Sequence, residues 1–338
     1  MIQIQKGKQA LITLGYALSS EEHKPNKLIA HAQMAESSGF KFLLISDHFH
    51  PWVSRQGNSS FVWSVLGGIA QATQRVSVGT GVTCPIMRFH PALTAHAAAT
   101  VADMMPGRFF LGLGTGEYLN EHIYGDVWPR IEARQEMLAE AVHIIKELWK
   151  GEEYSYHGTY YTIRDARIYT LPEKLPPIYI AASGPESAEL AGEISDGLIS
   201  TTPDDKIVNA FQKAGGGDKP RLGMVKVCWA YSAEEARETV KHWWPTSAVS
   251  GSLHADLPTP RHFEDVVEAM GEEPIIPADT VLGPNPNAYL KAIQMMAENG
   301  FDHVYLHQIG PDQEGFLKFF KGELLPLLEK EELIGETL

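Results

Sequence analysis

The sequence predicts a (β/α)8 TIM barrel, and three observations carry that prediction. Short apolar runs alternate with longer amphipathic stretches through most of the chain, the pattern of strands joined by helical crossovers into a parallel sheet. Eight strand–helix units can be counted, which suits a closed barrel better than an open sheet. The length, 338 residues, is long for one ordinary domain but normal for a barrel that carries insertions. The whole span, 1–338, is read as one such domain.

The units follow in order. Residues 10–15 read as the first strand. Pro25–Ser38 reads as a helix: proline suits a first turn because its missing N–H has no partner there anyway, and Gly39 supplies the left-handed stop. Residues 42–46 form a second strand, 62–73 a helix and 76–82 a third strand. Pro91–Met104 is helical, again with proline in its first turn. Residues 108–113 form the fourth strand, and a long helix over 129–150 ends at Gly151. Ile178–Ala181, Gly197–Ser200, 221–230 and 303–307 complete the eight strands. Two insertion segments do not fit a plain barrel. The first, about 153–175, opens with an alternating stretch over 153–162 that looks like a hairpin. The second, 242–281, is rich in proline and glycine and reads as a loop at the C-terminal mouth. A loop of that length in a compact domain is functional or mobile.

Charge and cysteine content narrow the function. A net charge of −14 argues against nucleic acid and against an anionic membrane surface as partners. It also repels anionic substrates unless a local basic site is built. Cys84 and Cys228 are the only cysteines and make neither a disulfide framework nor a zinc pattern. With no apolar leader region and no run of membrane-spanning length, the expectation is a soluble, reduced, cytoplasmic protein.

Barrel active sites lie at the carboxyl ends of the strands, so the polar residues after each apolar run are the candidates. Strand one leads to Tyr16 and Glu21; strand two to Asp47, His48, His50 and Trp52; strand three to Thr80, Gly81, Thr83 and Cys84. Strand four leads to Gly114-Thr115-Gly116-Glu117 and Asn120, strand five to Ala182-Ser183-Gly184-Pro185, strand six to Thr201 and Thr202. His48 is the natural acid–base group, because imidazole titrates near neutral pH. An isolated histidine more often bonds a neighbouring backbone group; Asp47 and Trp52 beside this one at a strand end favour catalysis. His48 and His50 share the spacing of a metal-binding pair, yet no third ligand is near, so no metal is expected. Gly112-Leu113-Gly114-Thr115-Gly116-Glu117 resembles a dinucleotide fingerprint, but Glu117 stands where glycine is needed and the run follows the fourth strand. It is either a tight turn with a solvated acid, or a place where a flat ligand approaches backbone with the acid aimed at it. The helix start after Ser183 is equally an anion site or an ordinary cap.

Together these motifs resemble one family. Ser46-Asp47-His48-Phe49 with Pro51-Trp52 is similar to the second-strand motif of the coenzyme F420-dependent glucose-6-phosphate dehydrogenases, which belong to the luciferase-like monooxygenase superfamily of α/β barrels. Gly114-Thr115-Gly116-Glu117 with Asn120, Tyr179-Ile180-Ala181-Ala182 before Gly184-Pro185, Asp196-Gly197, and Leu14-Gly15-Tyr16 with Glu21 resemble it too. Thr83-Cys84-Pro85-Ile86-Met87-Arg88 is closer to the related F420-dependent alcohol dehydrogenases. The likeness spans about Leu14 to Leu327 and weakens after Trp244.

The resemblance implies coenzyme F420, an 8-hydroxy-5-deazaflavin that accepts a hydride at C5. It implies His48 as the base that takes the alcohol proton, Trp52 as holder of the substrate or of developing charge, and Glu117 as proton donor to N1. Asp47, Gly81, Val82, Cys84, Thr115, Gly116, Asn120, Ala181, Ala182, Ser183 and Gly184 would contact cofactor, and Glu21 and Thr201 substrate. A non-prolyl cis peptide is implied at Gly81-Val82, bulging against the ring, and a homodimer is implied as the assembly. In the sugar-phosphate enzymes three basic residues hold the phosphate; their positions fall on Asp204, Asp265 and Asp279, with Lys206 a partial substitute for the first. Phosphate needs Arg or Lys, so the expected substrate is an uncharged alcohol: a small secondary alcohol, a free sugar or a bulkier polycyclic alcohol. Trp229 and Trp243-Trp244 could serve the last, or be core. The competing readings are a sugar-phosphate dehydrogenase, an FMN-dependent monooxygenase and a non-catalytic cofactor carrier. The direction, dehydrogenase or reductase, is left open.

Overall fold

A computed structural model describes residues 11–249, 251–271 and 274–334. The strands are β1 (Thr13–Leu18), β2 (Phe42–Ile45), β3 (Ser77–Thr80), β4 (Phe109–Leu113), β5 (Tyr154–His157), β6 (Thr162–Ala166), β7 (Ile178–Ala181), β8 (Gly197–Ser200), β9 (Arg221–Cys228), β10 (Val281–Leu282) and β11 (His303–Gln308). The helices that enter the argument first are α1 (Pro25–Ser38), α2 (Val62–Ala72) and α3 (Pro91–Met104). After them come α4 (Tyr118–Glu121), α5 (Ile131–Leu148), α6 (Pro185–Ile194), α7 (Asp205–Phe211), α8 (Ala233–Trp243), α9 (Ser252–Asp256) and α10 (Pro260–Ala269).

The barrel closes as predicted. Parallel pairing runs β11-β1-β2-β3-β4-β7-β8-β9, and β9 pairs back to β11. α1 begins at Pro25 and ends on Gly39, whose φ of 106° lets its N–H reach the Ala35 and Glu36 carbonyls. The first strand starts later than expected, at Thr13 rather than residue 10, and Ala10 lies outside the described residues. The ladders set that register: Thr13 pairs with His303 and Gly15 with Phe42. Apolar content alone does not locate such an edge. The segment 153–175 opens with the antiparallel hairpin β5–β6. The segment 242–281 is not the bare loop expected. It folds into α9, α10 and a short β10 on β9, with Phe263 fully buried. One of its prolines, Pro260, opens α10, so the composition that read as loop also marks a helix start.

The two faces of the strands do different work. Outward, Leu43, Ile45, Val78, Leu111, Leu113 and Ile180 are buried under the helices; burying one such side chain stabilises by about 1.5–3 kcal/mol. Inward, Phe42, Leu44, Phe110, Ile199, Leu222 and Tyr305 form a separate layer with Ala17, Val82, Tyr179 and Met224 against it. The aromatic rings fit because glycines face them: a Cβ on Gly15 would stand 2.3 Å from the Phe42 ring, and one on Gly79 2.1 Å from Phe110. A cavity of about 700 Å³ lies on the amino-terminal side of this layer, lined by Thr13, Ser77 and His303, at the opposite end from the catalytic candidates.

Gly112 is the least forgiving of these positions, because an added Cβ would meet the Thr80 carbonyl at 1.9 Å, a backbone atom that cannot rotate away. Gly112→Ala should destabilise by about 1–3 kcal/mol or more, read as a lower urea midpoint at unchanged slope.

Candidate active site

Two serines bring the first two strand ends together. The Ser20 amide donates to Ser46 Oγ at 2.8 Å, and Ser20 Oγ donates to the Ser46 carbonyl at 2.8 Å. Ser46 Oγ in turn donates to Glu21 Oε2 at 2.7 Å, and Ser19 Oγ donates to the same oxygen at 2.9 Å. Glu21, 2% exposed, is thereby fixed with its other oxygen free, and that oxygen, Oε1, lies 3.4 Å from His48 Nε2.

His48 has a second carboxylate on the same nitrogen: Glu117 Oε2, also at 3.4 Å. Its Nδ1 lies 3.2 Å from the His50 carbonyl, which aims the ring. Trp52 stands edge-on to it, with ring centroids 4.9 Å apart. Above Trp52 lies His254 from the insertion, 4.3 Å between rings, with its Nδ1 3.9 Å from Glu117 Oε1. Burial pushes the His254 imidazole below its ordinary range; Glu117 opposes that, while Lys226 and His48 add to it. The cluster therefore offers one basic ring between two acids under an aromatic wall, the composition suited to moving a proton.

A buried cation organises the surroundings. Arg88 donates to Asp47 Oδ1 at 2.9 Å, and its amide donates to Glu121 Oε2 at 2.7 Å while its Nε approaches Glu121 Oε1 at 3.4 Å. Thr83 Oγ1 takes the other Asp47 oxygen at 2.7 Å. Burial pushes the Glu121 carboxyl up and Arg88 pulls it down without cancelling the rise. Asn120 links the loops after β2 and β4: its Oδ1 accepts from the Phe49 and His50 amides at 2.8 and 3.2 Å, and its Nδ2 donates to Glu117 at 3.2 Å. Asp47, Asn120 and Cys84, expected to touch cofactor, are all 5% exposed or less; the polar side-chain groups of Asp47 and Asn120 are spent on neighbours.

The cofactor-side residues gather along adjacent strand ends. The Gly81-Val82 peptide is cis, as expected, and β3 carries one extra residue against β4: the ladder passes from Gly79↔Phe110 to Thr83↔Leu113. Gly81 is exposed and Val82 half-buried. A Cβ on Gly114 would stand 2.9 Å from Val82, and Gly116, at φ +77°, approaches the Cys84 sulfur. Ala181 follows on β7. This is a shallow surface of glycine, alanine and one valine, which fits a flat ring system. Thr115 is half-buried at its edge, Ser183 and Thr201 are exposed, and Gly184 begins α6 with Ala182 buried beneath.

Other expectations come out differently. His50 Nδ1 lies 2.8 Å from the Leu119 carbonyl and its ring stacks on His122. Asp204 caps α7, accepting from the Lys206 amide at 2.9 Å. Asp265 pairs with Arg261 on an exposed face of α10. Trp229 packs on Phe319 and Tyr231, and Trp244 over His307. Three residues of the site were missed in the sequence: His254, and Lys226 and His307, which sit side by side in register on β9 and β11. The available signal for the last two was strand alternation. They follow Met224 and Tyr305 at two-residue spacing, on the inward face.

The chain resembles known proteins over nearly its whole length. The Luciferase-like monooxygenase family model matches residues 9–303. The chain is 37% identical over 335 residues to an F420-dependent glucose-6-phosphate dehydrogenase of Microbacterium testaceum, covering 94% of this chain and 98% of that one. It is 36% identical over 322 residues to an F420-dependent hydroxymycolic acid dehydrogenase of Mycobacterium tuberculosis, covering 93% and 88%. Among solved structures it is similar to an F420-dependent secondary alcohol dehydrogenase in complex with an F420-acetone adduct, with a TM-score of 0.86, 26% identity, and coverage of 96% and 100%.

Arg88 is the test of this arrangement. Arg88→Met leaves Asp47 and Glu121 buried without their cation, and removing one partner of such a network costs about 3–5 kcal/mol. Chemical denaturation should show a loss of that size, with F420 binding weakened in parallel.

Proposed function

We propose that this chain, which belongs to the luciferase-like monooxygenase family, is an F420-dependent dehydrogenase that oxidises the carbinol group of an uncharged alcohol to a carbonyl. The observation that carries the reading is His48 Nε2 placed 3.4 Å from both Glu21 and Glu117 at the strand ends. The side-chain-poor surface over Gly81, Val82, Gly114 and Ala181 would seat the deazaflavin, with Thr115, Gly116, Ser183 and Gly184 at its polar edge. When bound, F420 supplies the hydride acceptor. His48 Nε2 takes the hydroxyl proton of the substrate, and the carboxylates of Glu21 and Glu117 lie where the positive charge on the ring then appears. Trp52, between His48 and His254, walls the substrate side and excludes water. Glu117, ionised and held by Asn120, would take that proton on from His48 and deliver it to the cofactor's edge. Asp47 acts through Arg88 and Thr83 on the shape of this loop.

The relatives named for glucose-6-phosphate, hydroxymycolic acid and a secondary alcohol share a carbinol carbon as the reacting group. The lack of arginine or lysine at the positions of the phosphate-binding bases, and the carboxylates of Glu21 and Glu117 beside His48, support a neutral substrate. Identity to the sugar-phosphate enzymes favours the second reading, a glucose-6-phosphate dehydrogenase. We place the protein in the cytoplasm, and, following the family resemblance, as a homodimer. Sedimentation equilibrium should return twice the chain mass; a monomer at micromolar concentration overturns this.

Steady-state assays with F420 test the rest. Neutral secondary alcohols should bleach the cofactor's visible band, and efficient turnover of glucose 6-phosphate would instead establish the sugar-phosphate reading. His48→Ala should lower kcat/KM by about 10²–10⁴-fold. Full turnover by that variant removes His48 as the base.

A further inference from the structure

The inference rests on the alcohol-oxidising reading and names what the substrate must carry. Leu222 and Met224 on β9 belong to the inward layer of the barrel. β9 and β11 pair without a break from Leu222↔His303 to Val227↔Gln308. Alternation therefore puts Lys226 on the inward face, one step nearer the mouth, beside His307. The two neighbours differ in what they touch. His307 is 5% exposed, lies under the Trp244 ring at 4.7 Å and faces Glu22 Oε2 at 3.8 Å. Lys226 is half-buried, and among the described residues it makes no hydrogen bond and no ion pair within 4.0 Å. Burial pushes its ammonium below the ordinary lysine range, partly offset by the charge of Asp279.

An ammonium has three donors to satisfy. Among the described residues none of the three meets a protein acceptor, and the nitrogen is not sealed from solvent, so water or a ligand at the mouth completes them; a perturbed lysine so placed marks a candidate ligand contact. The surroundings say what kind of acceptor. Ala17 and Val82 in the same layer and Gly114 and Ala181 at the neighbouring strand ends offer no polar side chain. Glu21 and Glu117 already flank His48, the charge of Asp279 acts on Lys226, and burial favours the neutral form of His254. A further anion would meet three carboxylates, whereas a hydroxyl oxygen accepts from the ammonium without adding charge.

We propose that Lys226 is a specificity-determining residue that binds a second, neutral hydroxyl of the substrate, so that the chain acts on diols and polyols in preference to monofunctional alcohols.

Three small molecules that share one secondary carbinol decide this: propylene glycol, isopropanol and lactate. With F420, kcat/KM for the glycol should exceed that for isopropanol by about ten- to a hundredfold, the range of one hydrogen bond to a charged group. Lactate should fall behind the glycol. Lys226→Met should bring the glycol-to-isopropanol ratio close to one, chiefly through KM, and Lys226→Arg should restore much of it. Calorimetry of glycol and isopropanol binding to the chain without F420 reads the same contact independently of turnover. Equal constants for the two alcohols in the wild type, a ratio preserved in Lys226→Met, or lactate ahead of the glycol each overturn the proposal. If F420 is never reduced while the calorimetric contrast holds and disappears in Lys226→Met, the redox reading fails and the Lys226 contact stands.

Discussion

One buried guanidinium holds the loops after β2 and β4 in place. Arg88 bridges Asp47, the residue before His48, and Glu121, four residues beyond Glu117. The strand ends alone would leave His48 and Glu117 on separate loops of β2 and β4. The bridge, together with the Asn120 amide that ties the His50 and Glu117 segments, converts two loops into one rigid body. Such a network adds little net stability, because desolvating three ions offsets their attraction. Its effect is on position: the Glu21 and Glu117 carboxylates each stand 3.4 Å from His48 Nε2 in an arrangement the fold has already set.

Much of this was legible in the sequence, and the legible parts share a cause. Pro25 and Gly39 mark a helix by backbone chemistry that no packing overrides, and the observed bounds agree. His48, Trp52 and Glu117 could be found because they directly follow apolar runs, at the end of the barrel where sites are built. What escaped was set by tertiary pairing. The first strand is placed by its ladders to β2 and β11. The proline-rich segment 242–281 hides helices whose one apolar face, around Phe263, exists only once docked. Lys226 and His307 sit inside strands, and a polar residue there reads as a flaw in an apolar run until the neighbouring strand reveals a shared inward face.

The charge of the mouth also changed in meaning. The sequence located its acidity at Asp204, Asp265 and Asp279. In the structure Asp204 caps a helix and Asp265 pairs with Arg261, so neither acts as a free anion toward a ligand. The carboxylates around His48 are Glu21 and Glu117, and the opposing positive charge is a single lysine that alternation hid. Repulsion of anions therefore depends on few groups at short range, where screening by salt is weakest, and not on the overall charge of the protein.

The aromatic layer across the barrel has a kinetic consequence. Phe42, Phe110, Tyr179 and Tyr305 belong to one interior layer, the first three packed against glycines, and Phe42, Phe110 and Tyr179 also line the cavity on the far side. A ligand seated at the strand ends exchanges on the mouth side of that layer. If the flat surface beside β3, β4 and β7 is covered first, the second reactant lies over the first like a lid on a tray. Residence time in such a stack is governed from the top down, and the molecule that arrived last sets the pace at which the one beneath can exchange.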